Sequence, residues 1–152
     1  MSTMSTASSP IVIDSNLAVW AVLPNVAVES TVDLLANWHR QRRRIVAPDL
    51  WLAEATSVIR RLVFHKVISP AQGKVAIDDL FSLGVETILL DQQLYQNAFE
   101  WAEKLQQSKI YDSLYVALAE HLQAELWTAD KRLVNGAKQA GIRRAHWVGE
   151  GK

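Results

Sequence analysis

An α/β domain with a mostly parallel sheet follows from three features of this sequence. Five short apolar runs recur along it, the segments between them carry apolar residues at three and four spacing, and Pro and Gly fall at the junctions. With 152 residues, the chain fits one domain around a single hydrophobic core.

The elements read in order as follows. Ile11, Val12 and Ile13 form a buried strand that closes on Asp14. Segment 30–42 has helical spacing and enters a second strand, 44–47, through the basic run Arg40, Arg42, Arg43 and Arg44. Pro48 follows that strand, and 50–64 reads as the next helix. Pro70 behind Ser69 opens a helix over 70–83, and Gly84 precedes a third strand at 87–90. Helices at 92–106 and 111–123 come next, then a strand at 124–127, a helix at 131–140 closed by Gly141, and a last strand at 145–148. Strands that alternate with helices pair in parallel through crossovers, which places helices on both faces. Residues 1–10 are rich in Ser and Thr and are expected to form a disordered tail; the domain then spans 11–148, with a short tail at 149–152.

Composition excludes several chemistries. Sixteen Lys and Arg balance sixteen Asp and Glu, so no global basic field draws the protein onto nucleic acid. The chain has no Cys, which removes disulfides, thiolate nucleophiles and cysteine-ligated zinc and is compatible with a reducing cytoplasm, the expected location. No apolar run approaches the roughly 18 residues of a membrane span. A glycine-rich phosphate loop is absent, and His39, His65, His121 and His146 are scattered without metal-ligand spacing.

The acids remain. Asp14, Asp49, Asp91 and Asp130 each follow a strand, where an Asp either caps the next helix or faces the crevice in which open parallel sheets bind ligands. Glu54 and Asp112 stand on apolar helix faces. There a carboxylate needs a partner: Arg60, Arg61 or a distant Lys for Glu54, the helix dipole for Asp112, or a metal. Two strand-end acids and two helix acids converging in one pocket carry a charge of about −4, which repels itself unless cations enter. Mg²⁺ or Mn²⁺ prefers such oxygen ligands, and one or two of these ions there would serve phosphodiester cleavage.

At these acids the sequence resembles the PIN-domain ribonucleases, and most of all the VapC-type toxins of toxin–antitoxin pairs. Four stretches carry the likeness: Ile11-Val12-Ile13-Asp14-Ser15-Asn16, Pro48-Asp49-Leu50-Trp51-Leu52-Ala53-Glu54-Ala55, Tyr111-Asp112-Ser113-Leu114-Tyr115-Val116-Ala117-Leu118-Ala119 and Trp127-Thr128-Ala129-Asp130-Lys131-Arg132-Leu133. The resemblance implies a three-layer α/β/α fold with a short, five-stranded sheet. It also implies a metal-binding quartet of Asp14, Glu54, Asp112 and Asp130, with Asp49 and Asp91 left as caps. Thr128 matches a hydroxyl residue that supports the site, whereas Asn16 replaces a hydroxyl residue common in relatives and would bind water or substrate through different geometry.

The same resemblance implies a metal-dependent endoribonuclease using Mg²⁺ or Mn²⁺, a homodimer assembled through helices, and a cognate antitoxin. Six Trp (Trp20, Trp38, Trp51, Trp101, Trp127, Trp147) offer anchors for such a partner, although most of them are expected to pack into the core. Arg40, Arg42, Arg43, Arg44, Lys131 and Arg132 are the cations available to an RNA backbone. A PIN-like module that binds RNA or a partner without catalysis is the alternative; a receiver-like phosphatase fits the helix-borne Glu54 and Asp112 poorly.

Overall fold

A computed structural model describes residues 9–26 and 31–151. Twelve regular elements alternate along it: β1 (Ile11–Ile13), α1 (Ser15–Val22), α2 (Thr31–Arg40), β2 (Ile45–Pro48), α3 (Trp51–Phe64), α4 (Pro70–Phe81), β3 (Val85–Ile88), α5 (Gln92–Lys104), α6 (Tyr111–Leu122), β4 (Glu125–Thr128), α7 (Lys131–Gln139) and β5 (Ala145–Trp147). A 3₁₀ turn, Val148–Gly151, follows. Most of the expected tail, residues 1–8, lies outside the described residues, as does Ser30; the carbonyl of Ser9 accepts from the Arg43 guanidinium.

The strands lie in the order β3-β2-β1-β4-β5, every neighbouring pair parallel. All of β1 is fully buried, as a central parallel strand covered on both faces must be. Right-handed crossovers put α1 to α4 on one face and α5 to α7 on the other. Accordingly α1 packs on α2, α3 and α4, while α6 packs on α5 and lies across β1, β2 and β4. Leu17, Trp51, Ile59 and Leu80 fill one layer of the core and Tyr115 and Leu118 the other. From β1 the chain moves outward to β2 and β3, then returns to place β4 on the other side of β1. That reversal opens a crevice at the carboxyl ends of β1 and β4.

Several expectations need correction. Helix α1 is absent from the sequence reading because Leu17 to Val22 are apolar throughout, so no three-and-four periodicity shows. Strand β3 starts directly after Gly84, two residues before the expected 87–90, with Val85 paired to Ile45. It is an edge strand with half-exposed faces, and Leu89 of the apolar run projects into solvent. Strands β2 and β4 each shift by one residue. Asp49 does not cap α3, since Leu50 takes that position in a helical conformation with no side-chain cap. Asp91 does cap α5, accepting from the Leu94 amide at 2.9 Å.

Candidate active site

Asp14 ends β1 and opens α1. Its Oδ1 accepts from the Leu17 amide at 2.9 Å, capping the helix, and its Oδ2 accepts from the Thr128 hydroxyl across the β1–β4 crevice. Thr128 is fully buried at the end of β4. Its Oγ1 also accepts from the Asp130 amide at 2.9 Å, so one hydroxyl links Asp14 to the turn that leads into α7. Asp130 in turn caps α7, accepting from the amides of Arg132 (2.9 Å) and Leu133 (3.4 Å).

Glu54 reaches the same region from α3 on the other side of the crevice. The buried Tyr115 of α6 donates its hydroxyl to Glu54 Oε1 at 2.6 Å. Helices α3 and α6 lie on opposite faces of the sheet, so this bond closes over its carboxyl edge. Asp112 stands three residues before Tyr115 in the first turn of α6, which puts both on one helix face. Gln107 Nε2 donates to Asp112 Oδ2 at 3.5 Å, and Ser113 Oγ donates to Gln107 Oε1 at 3.3 Å.

An open cleft of about 520 Å³ is lined by Asp14, Ser15, Asn16, Glu54, Ser57, Val58, Arg61, Lys109, Asp112 and Tyr115. Asp14, Glu54, Asp112 and Asn16 are therefore brought together as expected. Thr128 lies behind Asp14, and Asp130 stands at the margin, coupled to Asp112 through charge.

Burial pushes the Asp14 carboxyl up to about 6, outweighing the hydrogen bonds from Thr128 and Leu17, and the charge of Asp112 adds to the rise. Glu54 is raised by burial and by Asp112, against the Tyr115 hydrogen bond. Asp112 is exposed at the cleft rim, not buried as its apolar helix face suggested, and its carboxyl is raised by the partial desolvation it meets there and then by Asp130, against Gln107 and Arg132. Burial and the neighbouring Glu54 push the Tyr115 hydroxyl up as well, so it stays protonated and serves as a donor. Asp112 is thus the charge through which the acids feel one another.

The donor set fits a hard divalent cation, being made of carboxylate oxygens whose charge lacks full compensation. Among the described residues, no three Asp, Glu or His groups stand close enough to hold an ion as they are. Holding one requires the carboxylates to draw together, which their like charges oppose.

Of the partners considered for Glu54, the ion pair with Arg60, Arg61 or a Lys does not form among the described residues; Tyr115 is the partner instead. The basic run lies at the opposite end of the sheet, because Arg44 immediately precedes β2 and its carbonyl accepts from the amide of Ile11 at the start of β1. There Arg44 clamps Glu86 with bonds of 3.1 and 2.8 Å, and Arg43 approaches Glu125 at 3.7 Å. Lys131 lies over the Trp147 ring, 5.0 Å from its centroid. Of the six named cations, Arg132 alone acts on Asp112. Sequence reasoning missed Tyr115, Gln107 and Lys109. Only Tyr115 left a signal, sitting three residues after an acid on the same helix face.

The class this defines is an α/β domain with an acid-lined cleft at the reversal point of a five-stranded parallel sheet. The chain belongs to the PIN domain family, whose sequence model matches residues 11–139. Solved structures agree on the fold. PAE2754 from Pyrobaculum aerophilum superposes with a TM-score of 0.68 at 17% identity, covering 95% of this chain and 86% of that one. VapBC2 from Rickettsia felis, bound to a DNA fragment from its promoter, gives 0.65 at 18% identity, over 90% of this chain and 97% of that one. VapC20 from Mycobacterium tuberculosis, a Sarcin-Ricin loop cleaving toxin, gives 0.59 at 16% identity, over 88% and 97%. No curated protein matches the chain.

Proposed function

We propose that this protein is a metal-dependent endoribonuclease that hydrolyses RNA phosphodiester bonds and acts as the toxin of a toxin–antitoxin pair. The observation that carries this reading is the convergence of Asp14, Glu54 and Asp112 in one cleft, with all three carboxyls raised. Asp14, Glu54, Asp112 and Asp130 would hold Mg²⁺ or Mn²⁺, as one ion or two. Bound there, the cation would supply an activated water and neutralise charge developing on the phosphate and leaving oxygen. Thr128 fixes the orientation of Asp14, and Tyr115 does the same for Glu54, leaving Oε2 for ligand or water. Asn16, half-buried in the cleft wall, offers an amide to water or substrate.

A homodimer and a cognate antitoxin belong to the same proposal. Trp38 and Trp51 are buried and the other four Trp half-buried, so the more exposed apolar candidates for partner contact are Phe64, Val67, Val75 and Phe81 around α3 and α4, and Tyr95 and Phe99 on α5. No helix among the described residues is long and apolar enough to cross a membrane. A cytoplasmic location is part of the proposal, since the RNA substrate is found there.

The test is cleavage of a mixed tRNA and ribosomal RNA pool by purified, antitoxin-free protein with Mg²⁺, Mn²⁺ or EDTA. Discrete fragments that need metal are expected. Asp14→Asn and Asp112→Asn should each lose more than the about 10- to 100-fold that removal of a supporting partner costs. Cleavage at the parental rate by either variant refutes the assignment of that residue. Metal binding without cleavage shifts the reading to a non-catalytic RNA- or partner-binding module.

A further inference from the structure

Two cations stand in the acidic cleft without an acidic partner. Arg61 on α3 and Lys109 in the α5–α6 loop line the same cavity as Glu54 and Asp112, and both are exposed. The ion pairs among the described residues join Arg43 to Glu125, Arg44 to Glu86 and Arg144 to Glu120. Neither Arg61 nor Lys109 takes part in one, and the cation that acts on Asp112 is Arg132. Exposed pairs contribute only about 0–1 kcal/mol, so an anion arriving from solvent meets little competition for these two heads.

Their placement follows the acids. Arg61 lies seven residues after Glu54, on the same face of α3 and about 10 Å further along its axis. Lys109 lies three residues before Asp112, on a different element. A small anion would need one such cation. Two, approaching from separate walls of a cleft about 520 Å³ in volume, suit a polyanion with phosphates on both sides of the one presented to the carboxylates. The denser run at Arg40 to Arg44 lies at the far end of the sheet, where Arg43 and Arg44 are already engaged.

We propose that Arg61 and Lys109 form a two-point clamp for the backbone phosphates flanking the bond that single-stranded RNA presents to the acids. This rests on the nuclease reading above and adds to it the residues that hold substrate. The clamp contacts phosphates, so it sets position along the strand without choosing bases.

The test measures binding rather than cleavage. Fluorescence anisotropy follows a labelled 2′-O-methyl oligonucleotide of about 12 nucleotides in EDTA, with KCl varied between about 50 and 200 mM. Removing one phosphate contact reduces the slope of log K against log salt by about 0.7 for single strands. Arg61→Ala and Lys109→Ala are each expected to show that loss and the double variant about twice it, while Arg61→Lys and Lys109→Arg keep the parental slope. Arg40→Ala, at the opposite end of the sheet, should leave the slope unchanged. Unchanged slopes in both single alanine variants, an equal loss in Arg40→Ala, or no binding by the parent protein would each overturn the clamp. Parental cleavage with unmoved slopes refutes the clamp alone. Reduced slopes without any metal-dependent cleavage refute the nuclease reading and leave the clamp standing.

Discussion

Asp14 satisfies two demands with one carboxylate, capping α1 through Oδ1 and facing the cleft beside Thr128 through Oδ2. Its carboxyl rises from the ordinary 3.8 to about 6, so the folded state holds a proton that the unfolded chain releases earlier. The associated stability is full below about pH 4 and is lost as pH rises through about 6, a loss of about 3 kcal/mol at 1.36 kcal/mol per pKa unit. Thermal melts of metal-free protein should therefore show stability falling across that window. Asp112→Asn, which removes a charge that raises both Asp14 and Glu54, should flatten the fall and raise the melting temperature at neutral pH. Tyr115→Phe deprives Glu54 of its donor and should lower cleavage about 10- to 100-fold while the melt remains cooperative; an unchanged rate would deny Tyr115 a positioning role. Glu54 and Asp112 were legible as carboxylates on apolar helix faces, whereas only the family resemblance set Asp14 and Asp130 apart from Asp49 and Asp91. Tyr115 as the partner of Glu54 was not, since 61 residues separate them and only the packed sheet brings α3 and α6 together.

Local chemistry explains why some elements could be read and others not. Helix α4 announces itself through Pro70 behind Ser69, and the structure adds a complete capping box between Ser69 and Gln72: Gln72 N–H donates to Ser69 Oγ at 3.1 Å, and Ser69 N–H donates to Gln72 Oε1 at 2.7 Å. Ser69→Ala should cost about 1 kcal/mol, measured by denaturant unfolding. Gly84 carries a positive φ of 78° at the turn into β3, and a Cβ there would lie 3.2 Å from the His39 ring. Gly84→Ala should destabilise by more than the about 1 kcal/mol that relief of glycine's chain entropy could return. Helix α1 and edge strand β3 resisted reading for opposite reasons. The first is apolar on every side, so it carries no period; the second is half-exposed, so the neighbouring apolar residues Leu89 and Leu90 displaced its apparent position.

At the scale of the whole molecule, alternation of strand and helix predicted the α/β class, and the sheet is parallel throughout. The strand order β3-β2-β1-β4-β5 did not follow from pattern alone, yet it positions the candidate site, since it places the ends of β1 and β4 side by side at the reversal point. It also separates charge along the strands: the basic run at the amino ends, the acids at the carboxyl ends with Arg61 and Lys109 beside them. A sequence shows the number of cations and not which end of the sheet receives them. In the proposed reading, acids from β1, α3, α6 and the turn before α7 work as one cation-binding centre. Thermal melting at neutral pH with and without Mn²⁺ probes that centre without any need for an RNA substrate. At 100 times its dissociation constant, a ligand of the folded state stabilises by about 2.7 kcal/mol, or about 5–11 °C for a domain of this size. The parent protein should show that rise, and Asp14→Asn and Asp112→Asn should lose most of it; no rise in the parent, or an equal rise in both variants, would rule out a shared cation-binding centre.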